Sequence, residues 1–150
     1  ADRKKIVFEE DLVALIDDEV VRGHERVRLV EVSVSSSSRG PARAEVELSI
    51  DGLPAAAAAT GDGPVDASFN AVRAVCPHAA ELTLYSVAAI TGGSDAQART
   101  TVRLEEDGRS VDGQGADTDT VVSAVRAYVH ALNKLLAKRE RRAPPEAVSA

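Results

Sequence analysis

Two Gly-x-Gly segments stand before predicted helices and are the parts of this sequence best suited to hold a ligand. They are Gly61-Asp62-Gly63-Pro64 and Gly113-Gln114-Gly115. A glycine turn that leads into a helix frees backbone N–H groups beside the positive end of the helix dipole, so it can bind a phosphate or a carboxylate. Plain turn geometry is the favoured interpretation of either segment taken alone, with glycine at positive φ and Pro64 or Thr118 beginning the helix. Neither segment matches a Walker loop or the three-glycine Rossmann fingerprint.

Carboxylates cluster near both segments. Asp62 and Asp66 flank the first, and Asp112, Asp117 and Asp119 surround the second. A divalent cation is conceivable there, but the spacing fits no EF-hand loop. Carboxylates at helix starts are ordinary capping groups, so capping is the favoured interpretation and no metal site is predicted.

The remaining reactive side chains do not form a catalytic set. His24, His78 and His130 lie in three different segments without motif spacing, which favours surface roles. Cys76 falls on the apolar face of a predicted helix, as expected of a buried structural thiol. The serine run at 35–38 is interpreted as a hairpin loop. No nucleophile, base and oxyanion donor occur together, so no catalytic residue is predicted.

Length and composition argue against several classes of protein. The chain has 150 residues, a net charge of -6 and 3% aromatic residues. This length suits one domain and is too short for a (β/α)₈ barrel, and the acidic balance argues against nucleic acid. No apolar run is long enough for a membrane span. The single cysteine fits a reducing cytoplasm, and a start without Met or signal peptide predicts a processed chain or a fragment.

The first half predicts a helix, three strands and a second helix. Phe8–Val21 has helical spacing, and the alternating segments Val30–Val34 and Ala44–Ile50 predict a hairpin. Ala55–Ala59 is too short for a stable helix, so a short buried strand is predicted. Val65, Phe69, Val72 and Cys76 then recur on one face of a helix that begins at Pro64 and ends at Pro77.

The second half repeats this order. Leu82–Ile90 predicts a strand, Gly92-Gly93 a turn, Ala98–Leu104 an alternating strand, and Asp107-Gly108 a hairpin into a short strand at 110–112. A long helix follows, with an apolar stripe of Val121, Val125, Tyr128, Leu132 and Leu135, widened by Val122, Val129 and Leu136.

The two Gly-x-Gly segments recur about 52 residues apart, which indicates an internal repeat. The predicted fold is α+β, with two pseudo-symmetric βββα units preceded by a short linker helix. The predicted boundaries are 1–25 for the linker helix segment, 26–78 and 79–139 for the two units of one domain, and 140–150 for a flexible tail. Helices on one face of small sheets leave apolar area that a second copy could cover.

Four segments together resemble the C-terminal regulatory domain of 2-isopropylmalate synthase. They are Thr60–Ala67, Ser94–Ala98, Gly113–Asp119 and Ala127–Asn133. Their order, within the βββα repeat, makes the resemblance more specific than any single motif. It covers about Val27 to Leu136, and the helix at 8–21 is similar to the linker that joins this domain to the catalytic barrel.

The resemblance implies allosteric regulation. In this family leucine, the end product of the pathway, binds the regulatory domain near its dimer interface and lowers the activity of a barrel that condenses acetyl-CoA with 2-oxoisovalerate. This chain would therefore bind L-leucine and form a homodimer without catalysis. No cofactor is expected in it, because the divalent metal and the catalytic residues belong to the barrel.

The resemblance also implies a set of effector-binding residues. Carried over position by position, they are Val65, Asp66, Leu82, Tyr85, Ala89, Ala96 and Thr120. Burial of a leucine side chain among them would contribute roughly 1.5 to 3 kcal/mol, and the N–H groups of a helix start could meet the carboxylate. Two alternatives stay open: a citramalate synthase regulatory domain that senses isoleucine, and a dimerisation module without effector binding.

Overall fold

The computed structural model of the chain describes residues 25–90 and 97–142, and the side chains of all of these except 140–142. The predicted linker helix at 8–21, the predicted turn at Gly92-Gly93 and the segment 143–150 lie outside the described residues. No helix in the described part of the chain is long and apolar enough to cross a membrane.

The first unit contains strands β1 (Val27–Ser37), β2 (Gly40–Ile50) and β3 (Leu53–Gly61), followed by helix α1 (Pro64–Val75). The strands form an antiparallel sheet in the order β1-β2-β3. Residues of the alanine run are alternately half-buried and exposed along β3. The predicted strand there is confirmed, but its burial is partial because β3 lies at the sheet edge and α1 covers one face only.

The second unit contains β4 (Glu81–Ile90), β5 (Gln97–Glu106) and β6 (Arg109–Asp117), followed by α2 (Thr120–Arg142). Its antiparallel sheet has the order β4-β5-β6. The predicted α+β fold with two βββα units is therefore confirmed. Strand β6 is longer than the predicted segment at 110–112, and α2 continues past residue 139.

Tight turns join the central strands of each sheet. Asp51 and Gly52 have φ of 53° and 85°, and Asp107 and Gly108 have φ of 54° and 74°. Positive φ at both central residues is typical of the type I′ hairpin turn, for which Asp-Gly is a preferred sequence. These two Asp-Gly pairs set the register of β2 with β3 and of β5 with β6.

The Gly-x-Gly segments do not form the predicted turns. Gly113 and Gly115 lie within β6, and Gly61 is the last residue of β3. Gly63 precedes α1 with φ of -148°, which is extended backbone open to any residue. The expectation that these glycines need positive φ is wrong, because all positive-φ glycines in the described residues belong to the Asp-Gly turns.

Close packing against a helix explains the glycines in β6. A Cβ at Gly113 would lie 2.2 Å from the Ala127 carbonyl oxygen, and one at Gly115 would lie 2.5 Å from the Ser123 carbonyl oxygen. Both oxygens belong to the backbone of α2, which cannot move aside as a flexible side chain would. The absence of side chains at these two positions lets α2 lie directly on β6.

A β-bulge shifts the burial pattern of β1. The pairing with β2 is irregular between Leu29 and Glu31. Leu29, Val32 and Val34 therefore share the helix-facing side, whereas Val30 is 54% exposed. The expectation that Val30 alternates in register with Val32 and Val34 on one buried face is wrong, because the extra residue of a bulge reverses the alternation.

Helix α2 joins the two units. It packs on β5 and β6 of its own unit and also contacts β1 and α1 of the first unit. The buried side chain of Asn133 makes the polar link. Its Oδ1 accepts hydrogen bonds from the backbone N–H groups of Arg26 (3.0 Å) and Val27 (2.9 Å), and its Nδ2 donates to the Val27 carbonyl (2.8 Å). The apolar stripe around it is confirmed, with Val125, Tyr128, Leu132 and Leu135 buried.

We expect Gly113→Ala to lower the free energy of unfolding by about 3 kcal/mol or more, because the new methyl group would overlap the backbone of α2. Gly40→Ala is the matched control: it lies in open space at the start of β2, so a change within about 0.5 kcal/mol is expected. Urea denaturation of both variants measures the difference, and equal stabilities would show that α2 does not need the glycine.

Asn133→Ala should lower the free energy of unfolding by about 3 kcal/mol, since it leaves buried backbone groups of Val27 without partners. Asn70→Ala is the control, because Asn70 also donates to a backbone carbonyl, that of Thr60, but in an exposed position. A loss of at most about 1 kcal/mol is expected there. Similar losses in both variants would contradict the joining role of Asn133.

Candidate functional site

One row of side chains on β4 combines apolar character with exposure. Leu82, Tyr85, Val87 and Ala89 pair directly with the β5 residues that face α2, and a bulge between Leu82 and Leu84 brings Leu82 and Tyr85 to the same side. Tyr85 is 41% exposed and Val87 is 45% exposed, although Val102 and Thr100 opposite them are fully buried. We refer to these four residues as the β4 face.

The β4 face is exposed because no helix covers it. Among the described elements, β4 approaches the backbone of β5 alone. Strand β1, its counterpart in the first unit, is contacted by both helices, and its Val32 and Val34 are half-buried. Helix α2 has 23 residues and spans about 35 Å, whereas α1 has 12 and spans about 18 Å. The backbone of the short helix α1 does not approach β4, and the two elements meet through the Phe69 and Tyr85 rings.

An aromatic contact fixes the centre of the β4 face. The Tyr85 ring meets the buried Phe69 ring of α1 edge to face, with centroids 5.8 Å apart and planes at 85°. Phe69 in turn packs on the Tyr128 ring of α2 at 4.8 Å. Partial burial raises the pKa of the Tyr85 hydroxyl, so this group stays neutral at physiological pH. The Tyr85 ring is therefore held in place by Phe69 and remains partly exposed to solvent.

The start of α1 holds two more of the predicted effector residues. Val65 is half-buried and lies one helical turn before Phe69, so the two share a side of α1. Asp66 is exposed, and its Oδ2 accepts a hydrogen bond from the backbone N–H of Asp62 (3.0 Å). This carboxylate therefore closes the loop before the helix, as an acidic first-turn residue often does.

Thr120 lies at the start of α2, whose backbone approaches β5 and β6 of the second sheet but not β4. It is the exposed first residue of α2, and Ser123, one turn later, donates to the carbonyl of Ala98, which pairs with Ala89. Asp119 rather than Thr118 caps this helix, since its Oδ1 accepts from the N–H groups of Val121 (2.8 Å) and Val122 (3.2 Å). The capping carboxylate satisfies two of the free donors at this helix start.

The structure thus brings some of the predicted site residues together. Leu82, Tyr85 and Ala89 share one face, and Ala96 lies outside the described residues. Sequence reasoning left out Val87, although it lies two residues after Tyr85 and strand alternation places it on the same side. It also left out Phe69, which was assigned only to the core face of its helix.

The acidic residues near the Gly-x-Gly segments have structural partners. Asp117 accepts from the backbone N–H of Asp119 (2.9 Å), and Asp112 pairs with Arg103 (2.8 Å). These contacts agree with the capping interpretation for Asp119 and Asp66 and give Asp112 an ion-pair role. Within residues 25–90 and 97–142, no three His, Cys, Asp or Glu side chains are grouped to hold a metal ion.

Two histidines predicted to have surface roles instead link elements, so that prediction is wrong for them. His130 is half-buried, and its Nδ1 accepts from the backbone N–H of Gln114 (3.0 Å). His78 is half-buried between the units, with Nε2 2.7 Å from the Tyr128 hydroxyl. His24 lies outside the described residues. Cys76, just after α1, packs against the core, and burial raises the pKa of its thiol.

A groove of about 310 Å³ lies on the outer face of the first sheet, away from the helices. Its walls include the carboxylates of Glu31, Glu45 and Glu47, and alanines of β3 form its floor. An amino-acid carboxylate would be repelled by three like charges. The groove is therefore less suited to a leucine-like effector than the apolar β4 face.

Known proteins are similar to nearly the whole chain. The family model of the LeuA allosteric (dimerisation) domain matches residues 6–136. The 2-isopropylmalate synthase of Caulobacter vibrioides (strain NA1000 / CB15N) is 50% identical over 149 residues, covering 99% of this chain and 28% of that protein. That of Methylobacterium nodulans is 52% identical over 141 residues, covering 94% and 27%. The chain spans less than a third of the length of these relatives.

Truncation of Tyr85 should leave the fold intact. We expect Tyr85→Ala to lower the free energy of unfolding by about 1 kcal/mol, the scale of one aromatic pair, because its ring is partly exposed. Phe69→Ala, which empties a buried position, should cost about 3 to 5 kcal/mol. Urea denaturation distinguishes the two, and a Tyr85 loss as large as that of Phe69 would show that the β4 face is part of the core.

Proposed function

The chain belongs to the family of LeuA allosteric (dimerisation) domains, and from this premise we propose that it is the regulatory part of a 2-isopropylmalate synthase and binds L-leucine at the β4 face. The observation that carries this proposal is the exposed apolar row on β4, centred on Tyr85. Exposed apolar side chains that share one face of a strand favour interaction with a ligand or a partner.

The β4 face suits the side chain of leucine. Burial of a branched aliphatic group against Tyr85, Val87 and Ala89 would contribute roughly 1.5 to 3 kcal/mol. The small Ala89 leaves room beside the larger neighbours, so a compact ligand fits better than an aromatic one. The row lacks charged residues, and its exposed valine and tyrosine would be removed from water by such a ligand.

The charged ends of leucine need polar partners at the rim. The first backbone N–H groups of α1, those of Val65 and Asp66, are available to a carboxylate, because neither makes an intrahelical bond at a helix start. Asp66 is the candidate partner for the ammonium group. Since its Oδ2 already accepts from Asp62, the ammonium would have to use the other carboxylate oxygen.

The same surface supports a homodimer. A second copy would cover apolar area that α1 leaves exposed on β4, and a two-fold arrangement makes such a patch self-complementary. The effector and the partner copy would then meet at one edge of the domain. This arrangement would let leucine bias how two chains pack, which is one way a bound effector changes a distant site.

The condensation of acetyl-CoA with 2-oxoisovalerate would take place in the part of the enzyme that this chain does not span. In the described part of the chain no three His, Cys, Asp or Glu side chains are grouped to hold a metal ion. In this proposal leucine binds to the chain, and this binding lowers the activity of a catalytic barrel that holds the divalent metal. Feedback inhibition by the pathway product follows from that coupling.

A second candidate is a dimerisation module without an effector site. The observation in its favour is the β4 face itself, because a partner copy alone could cover it. The two candidates differ in their response to ligand: an effector at a hundred times its Kd adds about 2.7 kcal/mol to folding stability, whereas a pure dimerisation module would not respond.

Isothermal titration with L-leucine, and separately with L-isoleucine, tests the proposal alongside the mass in solution. We expect saturable leucine binding by a dimer, and Tyr85→Ala should weaken it at least about tenfold, equal to 1.4 kcal/mol. The dimer mass should be unchanged, because the other apolar residues of the β4 face remain in place for the partner copy. Val30→Ala, an exposed valine on the other sheet, is the control and should bind normally.

Other outcomes separate the alternatives. A preference for isoleucine would favour a citramalate synthase regulatory domain. A well-folded dimer that binds neither amino acid would favour the dimerisation module. Loss of the dimer in Tyr85→Ala with retained leucine binding would contradict the placement of the effector at the β4 face.

A further inference from the structure

His78 occupies the connection between the two units and touches the second helix. The residue lies between the end of α1 and the start of β4, and its Nε2 is 2.7 Å from the hydroxyl of Tyr128 on α2. Arg73 of α1 donates to the same hydroxyl from its Nε atom at 3.2 Å. One buried tyrosine oxygen therefore ties α1, α2 and the connecting segment together.

The chemistry of these groups fixes the direction of the hydrogen bonds. An arginine only donates, so the Tyr128 oxygen accepts from Arg73. Tyr128 is fully buried, and among the described residues its hydroxyl proton has no other acceptor than His78 Nε2. A buried hydroxyl donates where it can, so we assign His78 as the acceptor at Nε2, with its ring proton on Nδ1, a buried atom that has no hydrogen-bond partner among the described residues. The bond requires the neutral imidazole.

Tyr128 connects this bond to the β4 face. Its ring packs on Phe69 at 4.8 Å, and Phe69 packs edge to face on Tyr85 at 5.8 Å. We call these three rings the aromatic chain. It begins at the hydroxyl that binds His78 and ends at the exposed ring in the centre of the β4 face. A shift of Tyr128 would move the support of Tyr85, because close-packed rings leave no free space between them.

We propose that His78 is a positioning residue for the β4 face: it acts through the aromatic chain, and proton uptake by its ring weakens ligand binding at that face. A protonated imidazole donates from both nitrogens. The Tyr128 oxygen would then face donors from His78 and Arg73, and its own proton would lose its acceptor. The effect on L-leucine binding rests on the function proposed above. The effect of His78 on the position of Tyr85 does not depend on that function.

The charges around His78 set the direction of the pH effect. Burial lowers its pKa, and the positive charges of Arg73 and Arg139 lower it further, whereas Glu106 and the nearby Ala80 backbone oppose this shift. Glu106 is already paired with Arg139, and the neighbouring Cys76 thiol is kept neutral by burial. The ring is therefore neutral at pH 7 and gains a proton only below its ordinary range.

The sign for stability follows from this lowered pKa. The unfolded chain binds a proton at His78 near pH 6.5, and the folded chain binds it at lower pH. Between these two values the unfolded state holds more protons, so the contribution of His78 to stability is complete above about pH 6.5 and is lost as the pH falls towards the folded pKa.

NMR of the unliganded chain tests the positioning role. The sequence contains two tyrosines, so ring-labelled tyrosine gives two spin systems, which Tyr128→Phe assigns. We expect the Tyr85 ring signals to titrate with the pKa of His78, and to stop doing so in His78→Gln, whose side-chain oxygen still accepts from Tyr128 but does not titrate. His130→Gln is the control and should leave the titration unchanged. Tyr85 ring signals that do not change as His78 gains its proton would overturn the proposal.

Leucine titration at about pH 8 and at a pH below the His78 pKa found by the NMR titration tests the consequence for binding. The affinity of the natural chain should fall at least about fivefold once the His78 ring is protonated. It should stay constant in His78→Gln, which should bind at pH 8 like the natural chain. An equal fall in leucine affinity in the natural chain and in His78→Gln would overturn the proposal. If Tyr85 follows His78 but leucine binds at neither pH, the positioning role is supported and the leucine assignment is wrong.

Discussion

The close contact of α2 with both sheets is the constraint on which the rest of this structure depends. Gly113 and Gly115 remove side chains from β6 where the backbone of α2 crosses it, and Asn133 on the same helix satisfies the first backbone groups of β1. The buried side chains of both sheets and both helices belong to one cluster. One shared helix therefore makes a single core from two repeated units.

The same helix also breaks the symmetry of the repeat. Counted from the first residue of each helix, the position of Asn133 in α2 corresponds to Pro77, which lies beyond the end of α1. Proline has no backbone N–H and does not continue a helix. Both helices approach the backbone of β1, whereas neither approaches that of β4, which meets α1 through the Tyr85 and Phe69 rings. The apolar row that is half-buried on β1 is more exposed on β4.

This difference separates a buried core from an exposed apolar surface. The buried stripe of α2 holds the fold, while Tyr85 and Val87 keep large parts of their surfaces in contact with water. A ligand or a second copy can therefore gain burial at the β4 face without any part of the core opening. The ring contacts from Tyr85 through Phe69 to Tyr128 still connect this surface to the centre of the molecule, so binding there and packing inside are not independent.

The sequence by itself determined the elements and the order of the repeat. Alternation identified the strands, the Asp-Gly pairs identified two hairpins, and the 3.6-residue period identified both helices, because these signals act between near neighbours. It placed Leu82, Tyr85 and Ala89 on one strand but misread Gly113, Val30 and His78. Those three depend on a crossing helix, a bulge and a hydroxyl about 50 residues away. The exposure of the β4 face was likewise decided only by tertiary structure, since it follows from how far each helix reaches across a distant sheet.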